Sequence, residues 1–193
     1  VIMCDVDDVL NTFKKDFYAW IERKTGVAMP KNSKIYYPAN ELIAAGFNPE
    51  DLFAQAISER FLRSIQPLQS AINSINELYD MGYWIHLITA RPGDNLPCKY
   101  DTFAWLKHAG VKCHRVTFEN EKYLWTARSE YFRANKVICA IDDSSKHARE
   151  YANHGIFCFV PDYPHNEDLD AENMRFYSDG KNLLPFITVK FPL

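Results

Sequence analysis

No C-x-x-C pair occurs in this sequence, no apolar run reaches bilayer length, no block of residues repeats, and neither sign of charge dominates. Each absence removes a class of protein. The five cysteines, Cys4, Cys98, Cys113, Cys139 and Cys158, are odd in number and widely spaced, which argues against a zinc ribbon or a disulfide framework and fits reduced thiols in a cytoplasmic protein. Cys4, Cys139 and Cys158 fall inside apolar runs, where a thiol behaves as a small hydrophobe. Without the roughly 20 consecutive apolar residues of a membrane span, or an opening signal peptide, no membrane partner is expected. Val1 already lies in a strand-like run, so a short native start is expected to precede it. A net charge of −3 offers no general attraction to a polyanion, and no sign of nucleic-acid binding stands out. A small anionic substrate remains allowed. There is also no G-x-x-x-x-G-K-[ST] loop, which argues against a fused nucleotide-dependent kinase.

What is present is enough for one substantial core, since 47% of the 193 residues are hydrophobic. Short runs rich in β-branched and aromatic residues recur at 1–4, 83–88, 114–118, 137–141 and 156–160, with helix-like segments between them. Strands alternating with helices predict an α/β fold, a doubly wound parallel sheet covered on both faces. A helix is expected over 98–108, stopped at Gly110, and another from Ser144 or Ser145 to about Asn153, ended at Gly155.

Nearly 80 residues separate the first run from the second. Phe13, Phe17, Trp20 and Ile21 recur at i, i+4, i+7 and i+8, one face of a helix ended near Gly26. Pro30, Pro38 and Pro49 punctuate a loop-rich stretch before a helical segment over 51–61. After Pro67, the spacing of Leu68, Ile72, Ile75 and Tyr79 predicts a helix that returns the chain to the sheet. The expected organisation is a core of residues 1–14 and 67–193, with residues 15–66 forming a small helical cap over the carboxyl ends of the strands, where open α/β sheets bind ligands.

The first strand runs directly into Asp5-Val6-Asp7-Asp8-Val9-Leu10. In extended chain, positions two apart share a face, so Asp5 is expected beside Asp7. Carboxylates that close repel unless a hard cation or a shared proton relieves them, and magnesium, with its preference for oxygen ligands, suits the pattern. Asp142-Asp143 follows the run at 137–141 in the same way, and parallel strands bring both acidic pairs to one edge. At the end of another strand Thr89 offers a hydroxyl, and Ala90-Arg91-Pro92 a turn whose backbone N–H groups could meet a phosphate oxygen. Lys122, just beyond 114–118, could offset the charge of a phosphorylated carboxylate. It could equally be a surface lysine, and Arg128, Arg133 and Lys136 in the same connection compete for the role.

These motifs, in this order, resemble the haloacid dehalogenase superfamily of phosphatases, with Asp5 to Leu10 similar to the first motif, Thr89 to the second, Lys122 to the third and Asp142-Asp143 to the fourth. Within it the chain is most similar to the 5′(3′)-deoxyribonucleotidases. Phe13 stands where that family sets an aromatic residue against a nucleobase; Phe61 with Pro67, Cys98-Lys99-Tyr100 leading to Trp105, His165-Asn166 and Tyr177-Ser178-Asp179 through Leu184 look alike as well. Asp8 departs from the usual glycine, and Leu62 from an expected second pocket aromatic.

The resemblance implies a magnesium-dependent phosphomonoesterase, and within it a 5′-nucleotidase. Asp5 would be the nucleophile that becomes an aspartyl-phosphate, and Asp7 the general acid and base. Mg2+ would be held by Asp5, the backbone carbonyl of Asp7, and Asp143 more directly than Asp142. Thr89 and Lys122 would hold the phosphoryl group, with Phe13, Phe61, Ala90 and Arg91 also at the substrate. Phe17, Tyr18, Trp20, Tyr36 and Tyr37 offer further stacking surface, or simply the packing of the cap. The expected partner is a small phosphomonoester, in particular a nucleotide; a homodimer is allowed. The alternatives are a phosphatase of another small phosphorylated substrate or nucleic-acid end, and a catalytically silent protein that captures a phosphorylated ligand.

Overall fold

The computed structural model describes residues 1–30, 39–128, 136–169 and 172–193. Six strands form one parallel sheet: β1 (Ile2–Cys4), β2 (Ile85–Thr89), β3 (Arg115–Phe118), β4 (Cys139–Ile141), β5 (Phe157–Pro161) and β6 (Met174–Tyr177), in the order β3-β2-β1-β4-β5-β6. The strands expected from apolar runs are all present. β6 was not among them, because as an edge strand it exposes Arg175 and Phe176 and has no continuous apolar run to announce it. Every residue of β1, β2 and β4 is buried, as a parallel sheet covered on both faces requires.

The chain winds from β1 out through β2 and β3, then returns to the other side of β1 and continues through β4, β5 and β6. The reversal places the carboxyl ends of β1 and β4 side by side at the switch point of the sheet. Their register is Cys4 opposite Ile141, and the Asp5 N–H extends the ladder by donating to the Ile141 carbonyl at 2.9 Å.

Eight α-helices are described: α1 (Phe13–Thr25), α2 (Ala39–Ala44), α3 (Pro49–Ser58), α4 (Gln69–Asp80), α5 (Leu96–His108), α6 (Lys122–Arg128), α7 (Ser145–Asn153) and α8 (Leu183–Lys190). Helix α1 ends at Gly26, whose φ of 72° lets its N–H turn back to the Glu22 carbonyl at 2.9 Å. The short α2 interrupts the stretch expected to be loop. Helix α3 starts two residues earlier than expected, with Pro49 in its first turn and Asn48 Oδ1 accepting the Glu50 N–H at 3.0 Å. It also stops sooner, because Arg60 adopts φ 62° and a 3-10 turn follows at Phe61–Arg63. Ser144 flanks α7 but its hydroxyl makes no cap bond; instead its N–H donates to Asp142 Oδ1 at 3.0 Å.

The segment between β1 and α4 leaves and returns at one point. Asn11 bridges Pro67 antiparallel, the Leu68 N–H donates to the Leu10 carbonyl at 2.9 Å, and the Thr12 N–H donates to Gln66 at 3.0 Å. Its buried apolar residues, among them Phe17, Ile21, Leu42, Leu62 and Ile65, belong to the same cluster as Ile2, Cys4 and Leu87 of the sheet. Two further ties cross to α5. Trp105 donates its indole N–H to the Ile65 carbonyl at 2.7 Å, and the fully buried Asp101 accepts Arg60 Nε at 2.7 Å and is also paired with Arg63. Among the described residues no helix is long and apolar enough to cross a membrane.

Candidate active site

Beyond Cys4 the chain does not remain extended. It turns, with the Leu10 N–H donating to the Val6 carbonyl at 2.9 Å and Asp8 in the left-handed region at φ 55°. This corrects the expectation that Asp5 and Asp7 simply share the face of a strand, and it sends their carboxylates to different partners. It also accounts for Asp8: glycine is the default at such a φ, and aspartate is one of the few side chains that tolerate it. Both Asp8 oxygens accept the Lys14 N–H, at 3.0 and 3.1 Å, and Asn11 Oδ1 accepts the Phe13 N–H at 3.0 Å, so these two residues cap α1 while the hydroxyl of Thr12 does not. The Asp8 carbonyl accepts the Tyr163 hydroxyl at 3.0 Å.

Lys122, at the start of α6, is 1% exposed, and its ammonium lies 2.9 Å from Asp5 Oδ2 and 2.8 Å from Asp142 Oδ2. The surface-lysine alternative is therefore excluded, and its competitors Arg128 and Lys136 are exposed; Arg133, like Tyr36 and Tyr37, lies outside the described residues. Burial acts to lower the pKa of this ammonium, but the charges of Asp142 and Asp5 outweigh it and hold the group above its ordinary value.

Asp5, Asp142 and Asp143 each bring a carboxylate oxygen within 4.8 Å of the others. Their remaining partners differ. Asp142 has Lys122 on one oxygen and the Ser144 N–H on the other, whereas Asp5 Oδ1 and both oxygens of Asp143 are buried and accept no hydrogen bond among the described residues. His165 Nε2 approaches Asp143 Oδ2 only to 3.7 Å; it and Asn166 Nδ2 instead hold the Asp143 carbonyl, at 3.1 and 2.9 Å. Burial pushes the Asp5 carboxyl up to about 6 against the pull of Lys122, and pushes Asp8 up to about 7. Asp143 is driven well above the carboxylate range by burial, then by the charges of Asp8 and Asp5. Orphaned carboxylate oxygens under such strain fit a hard divalent cation, which supplies the missing partner for Asp5 and Asp143.

The Asp7 carboxylate stands apart from that cluster. Arg91, 5% exposed, grips it side-on, Nη2 to Oδ1 at 2.6 Å and Nε to Oδ2 at 2.8 Å, and Asn11 Nδ2 adds a bond to Oδ1 at 3.0 Å. Among the described residues its counter-charge is Arg91. The Arg91 guanidinium is also bonded to Thr102 Oγ1 at 2.9 Å, and the Arg91 N–H reaches Thr89 Oγ1 at 3.3 Å. Thr89 is fully buried at the end of β2, and Ala90 beside it is exposed.

Two cavities open beside Asp8. One, of about 370 Å³, is walled by Phe13, Phe17, Tyr18, Pro49 and Phe53, with Phe13 half-buried and stacked on Phe17 at 5.3 Å. The other, of about 700 Å³, includes Lys14, Lys15, Tyr163 and His165. Phe61 lines neither; it is buried behind Phe13, with ring centroids 6.2 Å apart. Trp20 is buried and donates to Glu59 at 3.3 Å. Asn11, Thr102 and Tyr163 were not singled out in the sequence. The only signal for Asn11 was its type, a capping residue just before the helical periodicity of α1.

No family model and no curated protein matches the sequence. Solved structures match its fold. A D,D-heptose 1,7-bisphosphate phosphatase from Burkholderia thailandensis is 14% identical with a TM-score of 0.57, covering 97% of both chains. CbbY from Rhodobacter sphaeroides, crystallised with phosphate, is 15% identical with a TM-score of 0.63, covering 94% of this chain and 95% of its own. A haloacid dehalogenase-like family protein from Streptococcus pneumoniae is 12% identical with a TM-score of 0.65, covering 96% and 97%. At such identities the likeness establishes the fold, which is the α/β fold of the haloacid dehalogenase superfamily.

Proposed function

We propose that this chain is a magnesium-dependent phosphomonoesterase working through an aspartyl-phosphate on Asp5, and that its substrates are nucleoside monophosphates. The observation that carries the reading is the buried Lys122 bridging Asp5 and Asp142 at the switch point, while Asp5 and Asp143 keep buried oxygens that accept no hydrogen bond among the described residues. In the first step an Asp5 oxygen attacks phosphorus, the ester P–O bond breaks, and Asp7 gives its proton to the departing alcohol. In the second, Asp7 takes a proton from water as that water attacks phosphorus, releasing inorganic phosphate and the Asp5 carboxylate. Magnesium, held by Asp5, Asp143 and the backbone carbonyl of Asp7, would neutralise phosphate charge that otherwise repels the nucleophile. Lys122 and Thr89 hold the transferring group, and the ammonium already in contact with Asp5 offsets the extra charge when that residue is phosphorylated.

The nucleotide assignment rests on the aromatic cavity at Phe13, and on reading residues 15–66 as a cap that carries it over the strand ends. A second reading, a small sugar phosphate, is favoured by the larger and more polar cavity beside the same Asp8, and one of the similar solved structures is a D,D-heptose 1,7-bisphosphate phosphatase. The enzyme is read as cytoplasmic, in keeping with its unpaired cysteines. The test is a panel of nucleoside monophosphates, sugar phosphates and p-nitrophenyl phosphate with magnesium, run on the wild type and on Asp5→Asn. Turnover is expected to fall to background in the variant; a few per cent of residual rate would remove Asp5 as nucleophile.

A further inference from the structure

A carboxylate offers about four lone-pair positions to hydrogen bonds, two on each oxygen. On Asp7 three are occupied. Among the described residues Oδ1 accepts both Arg91 Nη2 and Asn11 Nδ2, and Oδ2 accepts Arg91 Nε alone. The side chain of Asp7 is 16% exposed, so the remaining position on Oδ2 is within reach of a ligand. Arg91 in turn is not free to drift. Its side chain is 2% exposed, and its third nitrogen, Nη1, donates at 2.9 Å to Thr102 Oγ1, whose own proton goes to the Cys98 carbonyl one turn back in α5 at 2.8 Å. A chain of hydrogen bonds therefore runs from the backbone of α5 through Thr102 and Arg91 to the Asp7 carboxylate, buried at Thr102 and at Arg91.

From this geometry we infer that Arg91, clamped by Thr102, is a positioning residue that fixes the Asp7 carboxylate and leaves Oδ2 as the oxygen through which the proton passes. The inference rests on the proposed phosphomonoesterase reading and deepens it. The Arg91 side chain is turned to Asp7 and Thr102, and its bidentate grip sets the rotamer of the acid. Lysine cannot reproduce that grip, since a single ammonium presents a point charge and not a planar fork. Proton donation to the leaving oxygen matters in proportion to how poor that leaving group is. A nitrophenolate departs without help, whereas the alkoxide of an alkyl ester needs the proton.

The experiment measures kcat/KM, which covers the steps up to departure of the leaving group and not the later hydrolysis common to every substrate, on p-nitrophenyl phosphate and on alkyl phosphomonoesters, the nucleoside monophosphates and sugar phosphates of the panel, for the wild type, Arg91→Lys, Thr102→Val and Thr102→Ser, with thermal melts alongside. Arg91→Lys is expected to lower kcat/KM on the alkyl esters by about 10- to 100-fold while that on p-nitrophenyl phosphate changes by less than about 3-fold. Thr102→Val, which keeps the shape and loses the hydroxyl, should show the same selective loss at smaller size, and Thr102→Ser should recover it. If Arg91→Lys does not fold, the Thr102 pair decides alone. Equal losses on both substrate types, or no loss on either, overturn the positioning role while leaving the Asp5 chemistry intact. A wild type that turns over no phosphomonoester at all overturns the proposed function, and this inference with it.

Discussion

Phe13 carries the step from phosphatase to nucleotidase, and its surroundings allow two roles. The ring is half-buried, stacks on Phe17 and meets Phe53 and Phe61 edge-on, yet one side faces a cavity that begins at Asp8. If that open face takes a base, Phe13→Ala should lower kcat/KM for nucleotides by about 1–3 kcal/mol, roughly 5- to 150-fold, and spare p-nitrophenyl phosphate, which has no base to stack. Parallel losses on both, with a lowered Tm, would make Phe13 a packing residue and leave the sugar-phosphate reading in front. At this scale the sequence discloses residue types well and partners poorly. Asp5, Asp142 and Asp143 were legible because they end buried strands, whereas nothing local to Lys122 separated it from Arg128, since its burial depends on where α6 sits against Asp142. Arg91 was expected at the substrate and in a phosphate-facing turn, not beside Asp7, because that pairing spans 84 positions.

Helices and strands were readable wherever burial is one-sided and continuous, as along the Phe13, Phe17, Trp20, Ile21 stripe of α1. Where an element is held by polar contacts from elsewhere in the chain, the pattern is silent, and the end of α3 is the instructive case. Its apolar spacing could run on to Phe61, but the left-handed turn at Arg60 stops it and presents Arg60 and Arg63 to Asp101 on α5. That carboxylate is fully buried, while the two arginine side chains are about half exposed at 48% and 51%. Asp101→Asn keeps the shape and removes the charge they share, so stability should fall by about 2 kcal/mol, a Tm decrease of roughly 4–8 °C, below the full cost of breaking a wholly buried pair because the arginines keep part of their hydration. Asp80→Asn serves as the control. Its pair with Lys112 is exposed on both sides and should be worth less than about 1 kcal/mol. Similar melting points for the two variants would mean that Asp101 does not anchor the segment bearing Phe61.

At the scale of the whole molecule, a reversal of winding direction brings Asp5, just beyond β1, beside Asp142 and Asp143, just beyond β4, residues nearly 140 positions apart joined by adjacent strands. The alternation of strands and helices predicts such a sheet, but not which strands flank the switch point, so the meeting of the acidic pairs was an expectation until the register of Cys4 with Ile141 placed it. Gathering three buried carboxylates there costs stability, and a cation bound only by the folded chain would return it. Magnesium at about 100 times its Kd should then stabilise the protein by about 2.7 kcal/mol, a Tm rise of roughly 5–11 °C that EDTA reverses. The sign of the pH dependence follows from the metal-free carboxyls. Burial holds Asp5 at about 6 and Asp143 well above its ordinary value, so Asp5 binds a proton as pH falls through 6, and on both carboxyls protons gained with falling pH compete with the cation. The magnesium-induced shift should therefore be larger at pH 8 than at pH 5.5, and Asp143→Asn should abolish most of it at either pH while leaving the metal-free protein no less stable. A melting temperature indifferent to magnesium at pH 8, or a full shift retained by Asp143→Asn, would show that these oxygens hold no cation.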